Sequence, residues 1–422
     1  MAVIQKIVAS EIIDSRGYPT IEGTLYLDNN IVVKSSVPSN FPPGKYDAME
    51  LRDNDVLRFN GFGVNIPISY INTLISPKLV GANPAKQQEI DSWLIKADQT
   101  KKKNRLGSNT ILLISQLVAK AAAQDQKISL YQYLNQLLFK HHKIEVKMEK
   151  IPTPIFSLIN GGKHANNNLD FQEFQVIPSS SYSYSNGLQI GVELYHELKN
   201  MLQYRGATIA VGEEGGFTPN FASNRDALEI LKETIIKVNK KIGIDVFLGL
   251  NVASTHFFKD QKYQIHDRPN PLKIEEYYKE LIKIIAEYSL LVVEDPFSQE
   301  SWNDWKKLNS EISDQAYLVG NDLLESNKER VNIAIKEKAC SSIVIKPNQV
   351  GTISEVLSLI DLAKKNKLSY IFSDRSGDTN DDFVADFAVA TQADFVKFGA
   401  PCRGERVAKY NRLWEIEKEG II

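Results

Sequence analysis

The feature that most constrains this chain is a rhythm in its second half. From about residue 245 onward, short apolar segments alternate with helical stretches. The apolar segments are 247–250, 290–293, 317–319, 342–345, 370–372 and 395–396, and from the third onward their centres recur about every 25–27 residues. Helical patterns at 328–338, 353–366 and 380–392 lie between them. Fully apolar strands separated by helices imply a parallel sheet with crossover helices. Six such units, with further material at 151–215, suffice to close a (β/α) barrel.

The first 140 residues read differently. Strands are expected at 3–13, 20–27 and 30–37, with a turn at Asp28-Asn29-Asn30. A helix over 108–126 carries Ile111, Ile114, Val118, Ala121 and Ala122 at helical spacing. The expected fold is therefore α/β. An N-terminal α+β domain over 1–140 precedes a barrel domain over 141–422. No internal repeat or low-complexity linker is found.

Composition narrows the function classes. Lys plus Arg is 50 and Asp plus Glu is 52, so the formal charge is −2. That balance argues against a nucleic-acid or membrane-surface partner. Two cysteines, Cys340 and Cys402, make no disulfide framework and suit a reducing, cytoplasmic setting. No apolar run reaches the length of a membrane span, and residues 1–6 show no signal pattern. The basic run at 101–105 lacks interleaved aromatics and reads as a solvated loop.

The chemistry lies at the strand ends. Asn251, Glu294, Asp295, Asn321, Asp322, Lys346, Asp374, Arg375 and Lys397 each follow an apolar segment closely. In a parallel barrel these ends converge on one face, where barrel active sites are built. Lysines among carboxylates suit removal of a proton next to a carboxylate. There the acids would hold Mg²⁺ and a lysine crowded by cations would act as base.

At these residues the sequence resembles the enolases. Similar stretches are 11–20 (EIIDSRGYPT), 158–165 (LINGGKHA), 171–174 (FQEF), 211–216 (VGEEGG), 293–297 (VEDPF) and 345–352 (IKPNQVGT), in order across nearly the whole chain. The resemblance implies an enolase-type (β/α)8 barrel that begins irregularly, and a homodimer. It also implies a hydro-lyase of glycolysis acting on a small phosphorylated carboxylate, 2-phosphoglycerate, to give phosphoenolpyruvate. Lys346 would be the base and Glu214 the acid, with Glu173 beside it. Lys397 would contact the substrate carboxylate, Arg375 and Ser376 the phosphate, and His164 would ride a mobile loop. A lysine base paired with Mg²⁺ is the general pattern of enolase-superfamily sites.

Three departures fall on that chemistry. The family's first metal site has three carboxylates; here Glu294 stands with Asn251 and Asn321, which offer carbonyl oxygen without charge. The first lid loop reads Ser39-Asn40-Phe41-Pro42-Pro43-Gly44, with Pro42 in place of a serine that helps hold a second Mg²⁺. Asp374 replaces a histidine and puts an anion beside the phosphate contacts, repelling phosphate unless Arg375 neutralises it. Weakened Mg²⁺ binding is expected. The ordinary reaction would then be weak, or diverted to a related phosphorylated or phosphonylated carboxylate. The alternative is a divergent paralogue without catalysis, acting as a binding or scaffold protein.

Overall fold

The computed structural model describes residues 2–420. The N-terminal sheet has strands β1 (Ile4–Ile13), β2 (Pro19–Leu27) and β3 (Val32–Ser36), paired antiparallel in that order. The β1–β2 turn is set by Asp14, whose Oδ1 accepts the Tyr18 N–H at 2.8 Å, and by Gly17 at φ +80°. After a helical stretch over 65–79 come three longer helices, α1 (Gln87–Asp98), α2 (Ser108–Asp125) and α3 (Leu130–His142). Helix α2 is buried almost all round, as its Ile, Leu and Ala content requires. Its Leu117 lies so near Gly23 of β2 that a Cβ there would come within 2.8 Å of it, so glycine lets helix and sheet close together.

The second part is a closed eight-stranded barrel. Its elements are β4 (Thr153–Asn160), β5 (Glu173–Pro178), α4 (Tyr184–Tyr204), α5 (Asn224–Lys237), β6 (Val246–Asn251), α6 (Ile274–Tyr288), β7 (Val292–Glu294), α7 (Trp302–Ile312), β8 (Tyr317–Gly320), α8 (Lys328–Glu337), β9 (Ser342–Ile345), α9 (Ile353–Lys365), β10 (Ser369–Ser373), α10 (Phe383–Thr391), β11 (Phe395–Lys397) and α11 (Gly404–Lys418). The strands run in the order β7–β8–β9–β10–β11–β4–β5–β6 around the barrel. The α/β class and the strand–helix rhythm read from the sequence are present.

The barrel begins irregularly, as the resemblance implies. Strand β5 runs antiparallel to both β4 and β6. A short β4–β5 connection without a crossover helix permits this, because antiparallel neighbours need none.

Strand parity positions the site. Ile155, Ile177, Val292, Val319, Val344, Ile371 and Phe395, one from each of seven strands, form an apolar cluster, with Phe247 of β6 packed against it. Side chains alternate along a strand, so the residue two further on faces the same way. Val292 is followed in this way by Glu294, Val319 by Asn321, Val344 by Lys346, Ile371 by Ser373 and Phe395 by Lys397. Phe247 leads through Gly249 to Asn251. On the reversed strand β5, Ile177 leads back through Gln175 to Glu173, so the first residue of that strand reaches the same end as the last residues of the others.

Candidate active site

A cavity of about 530 Å³ opens over the apolar cluster, lined by Lys346, Lys397, Glu173, Glu214, His164 and Arg375 among others. Part of its wall comes from the lid loop, including Phe41, Pro42 and Pro43.

The deepest group is a charge network centred on Lys397. Its Nζ lies 3.0 Å from Glu173 Oε1 and 2.8 Å from each carboxylate oxygen of Glu294. All three side chains are buried. Asn251 Nδ2 donates to Glu173 Oε1 at 2.9 Å, and Asn321 Nδ2 donates to Glu294 Oε1 at 2.8 Å. The second oxygen of Glu173 accepts from Ser157 Oγ (2.6 Å) and Gln175 Nε2 (2.9 Å).

Burial opposes both carboxylates, with different outcomes. For Glu173, Lys397, His164 and the hydrogen bonds from Ser157 and Gln175 win and hold the carboxyl well below its ordinary range. For Glu294, burial and the nearby Glu173 outweigh Lys397, and the carboxyl is pushed up. Lys397 is itself pushed up, because the carboxylates overcome the cost of burying its charge.

Lys346 contrasts with Lys397. Among the described residues, its Nζ makes no hydrogen bond or ion pair. Desolvation pushes its ammonium below the usual lysine range, and the positive charges of Arg375 and Lys397 act the same way.

A third group couples His164, Glu214 and Ser376. Ser376 Oγ donates to Glu214 Oε1 at 3.1 Å and lies 3.3 Å from His164 Nε2, which is 3.6 Å from Glu214 Oε1. Gln172 Nε2 is 3.1 Å from the same ring nitrogen. His164, Glu173 and Glu214 bring potential ligand atoms within 4.8 Å of one another, the one such metal-sized group among the described residues. Both oxygens of Glu173 already accept two donors each, so the free capacity of this group lies on His164 and Glu214. That suits proton transfer better than chelation.

The phosphate contacts expected from the sequence are held from below. Arg375 Nη2 donates to Asn40 Oδ1 of the lid loop. Asp374 does not line the cavity. It is buried and paired with Arg406, which also donates to the carbonyls of Arg375, Ser376 (2.6 Å) and Glu213 (3.1 Å). The neutralising partner of Asp374 is therefore Arg406 and not Arg375, because the α11 guanidinium reaches the back of the 373–376 segment. Burial lifts the Asp374 carboxyl to about 7 in spite of Arg406.

Sequence reasoning missed Arg406, Gln172, Asn40 and Glu325. Gln172 sits inside a quoted stretch and could have been found by its neighbour Glu173. Arg406, in Glu405-Arg406-Val407-Ala408-Lys409, reads as a solvated helix face and gave no signal.

Comparison with known proteins decides the family. The family model described as Enolase, N-terminal domain, matches residues 4–134, and that described as Enolase, C-terminal TIM barrel domain, matches residues 148–420. The chain belongs to the enolase family. Curated relatives named Enolase align over nearly the whole chain. That from Ehrlichia canis (strain Jake) is 41% identical over 417 residues, covering 99% of this chain and 96% of the relative. That from Ehrlichia chaffeensis is 42% identical over 416 residues (98% and 96%), and that from Beutenbergia cavernae 40% over 420 residues (99% and 96%). Family and relatives support a hydro-lyase of enolase type. No helix among the described residues is long and apolar enough to cross a membrane.

Proposed function

We propose that this enolase-family protein performs enolase-type acid/base chemistry on a small phosphorylated or phosphonylated carboxylate, and that ordinary dehydration of 2-phosphoglycerate to phosphoenolpyruvate is weak. The observation that carries the reading is the division of labour between two strand-end lysines of the cavity, Lys397 and Lys346. Lys397 is fully engaged by carboxylates. Lys346 is unpaired among the described residues, and desolvation and neighbouring cations push its ammonium down, as a proton acceptor requires. Lys346 takes the proton α to the carboxylate. Glu214, held by Ser376 and close to His164, gives a proton to the departing hydroxyl, so that water leaves and a C=C bond forms. Arg375 and Ser376 meet the phosphoryl or phosphonyl group.

The donor set does not suit the Mg²⁺ of a three-carboxylate site. Glu294 is the one acid of its trio, and Lys397 and Asn321 already engage its oxygens. Bound Mg²⁺ would ordinarily supply charge stabilisation to the dianionic intermediate. Here no step is assigned to it.

The reading is tested with 2-phosphoglycerate in D₂O, following C2 deuteration by NMR and phosphoenolpyruvate by absorbance. C2 exchange abolished by Lys346→Ala is expected, with dehydration well below about 10 s⁻¹, a typical enzyme turnover. Turnover near that value would overturn the weak-dehydration claim. Exchange that survives Lys346→Ala would overturn the assignment of the base.

We also propose a homodimer and a cytoplasmic setting. Ile13, Val56 and Leu57 are exposed by 63%, 75% and 95%. The Arg58–Glu11 ion pair ties the loop carrying Val56 and Leu57 to β1, so these side chains share one region. A second copy would cover it.

A further inference from the structure

The place where this family would seat a divalent ion is, in this chain, bounded by Glu294 with Asn251 and Asn321. Three observations bear on what sits there. First, the Lys397 ammonium contacts both oxygens of Glu294 and one of Glu173, at 2.8, 2.8 and 3.0 Å. Secondly, Asn251 and Asn321 direct their amide N–H groups at these same two carboxylates. A metal ligand must present a lone pair, so each amide would have to turn over, giving up a buried hydrogen bond. Thirdly, the charges already nearly balance. Glu173 and Glu294 carry two negatives against one positive on Lys397, leaving one excess negative charge. A divalent ion would leave one excess positive charge in a buried pocket, with an ammonium within hydrogen-bond distance of its ligand. With aspartates at 251 and 321 the same ion would leave one excess negative charge, the balance a cation site needs.

We propose that the Lys397 ammonium is the resident cation of this site, held by Glu173 and Glu294 in the place of a divalent ion, so that the site takes its anionic ligand without recruiting Mg²⁺. This deepens the functional reading above and shares its site. The ligand's charges are then met by the protein's own cations, with Lys346 and Arg375 facing the cavity. Asn251 and Asn321 are amides for a reason: they add neutral donors to carboxylates whose charge Lys397 already offsets in part.

The test is Mn²⁺ binding to the full-length protein, read by electron paramagnetic resonance of the free ion, with Mg²⁺ as competitor. Wild type and Glu294→Gln should give superimposable titrations up to about 1 mM Mn²⁺, the weak end for carboxylate sites. A class of sites present in wild type, displaced by Mg²⁺ and lost in Glu294→Gln would overturn the proposal. Lys397→Met, if folded by circular dichroism, should gain a Glu294-dependent site at least about tenfold tighter than any in wild type. A folded Lys397→Met that gains nothing would also overturn it. Should that variant not fold, the wild type and Glu294→Gln comparison still decides. Because the readout is metal binding, it can fail while C2 exchange succeeds, and the reverse.

Discussion

The lid loop offers a quantitative test of how the two domains meet over the cavity. Glu325, at the barrel end after β8, accepts the backbone N–H of Lys45 at 3.1 Å and that of Tyr46. Tyr46 also donates its hydroxyl to Glu300 at 2.7 Å, and the Arg330 guanidinium stacks over its ring at 4.3 Å. The Glu325 carboxyl is pushed from 4.5 to about 7, first by burial and then by the negative charge of Asp47, with Asp322 adding to it; the two backbone donors only partly offset this. Opening the lid would return Glu325 to water and separate it from Asp47. The closed lid therefore binds a proton more tightly than the open one. Stability of closure is fully present below pH 4.5 and is lost as the pH rises through 7. Raising the carboxyl from 4.5 to about 7 corresponds to about 3 kcal/mol at 1.36 kcal/mol per tenfold change in proton affinity. Solvent at the cavity mouth screens part of that, leaving about 1–2 kcal/mol.

Hydrogen exchange measured by mass spectrometry on a peptide covering 40–48 reads this directly. After correction for intrinsic exchange rates, protection at Lys45 and Tyr46 should fall about tenfold between pH 5 and 8. Glu325→Gln is neutral at every pH and should flatten the profile. A flat wild-type profile, or a Glu325→Gln profile that keeps its slope, would refute the claim that burying this carboxyl sets the pH dependence of the lid.

Other expectations follow from the same contacts. Arg406→Met leaves Asp374 buried without its counter-ion and should cost about 3–5 kcal/mol in urea unfolding; a loss under about 1 kcal/mol would show that Asp374 does not depend on it. Since Lys346 is pushed down from the ordinary lysine range, C2 exchange should increase with pH and level off below pH 10.5; a limb that continues to climb past that value would exclude Lys346 as the base. Leu57→Asp puts a charge into the exposed apolar region and should shift sedimentation from dimer to monomer, with an unchanged dimer placing the interface elsewhere.

How much of this was legible in the sequence depended on the range of the interaction. The barrel strands were legible because an apolar run is a local signal, and their polar ends because strand parity carries Val292 to Glu294 and Val344 to Lys346 within three residues. The direction of β5 was not legible. Phe174, Val176 and Ile177 read alike in either sense, and only pairing with β4 and β6 fixes the reversal that brings Glu173 to the site. Arg406 was not legible either, since a guanidinium in a charged helical stretch is ordinarily solvated, and its partners lie on another element. Glu325 was missed for the same reason: what makes it matter is a loop of the other domain.

The polar groups at this end of the barrel are mutually consistent in a way that a chance assortment would not produce. A cluster assembled without regard to charge would be expected to leave a carboxylate short of donors, or a lysine short of acceptors. Instead each asparagine donates to a remaining carboxylate, and Lys397 contacts both. Asp374 likewise has a buried counter-charge, Arg406, which ties the carbonyls of Arg375 and Ser376 to the same point. Glu173, Glu294 and Asp374 thus each have a cation within hydrogen-bond distance, whereas the Lys346 ammonium, among the described residues, makes no hydrogen bond or ion pair. An amine held by no carboxylate, at a barrel end where Lys397 and Arg406 are each so held, is what a proton acceptor needs.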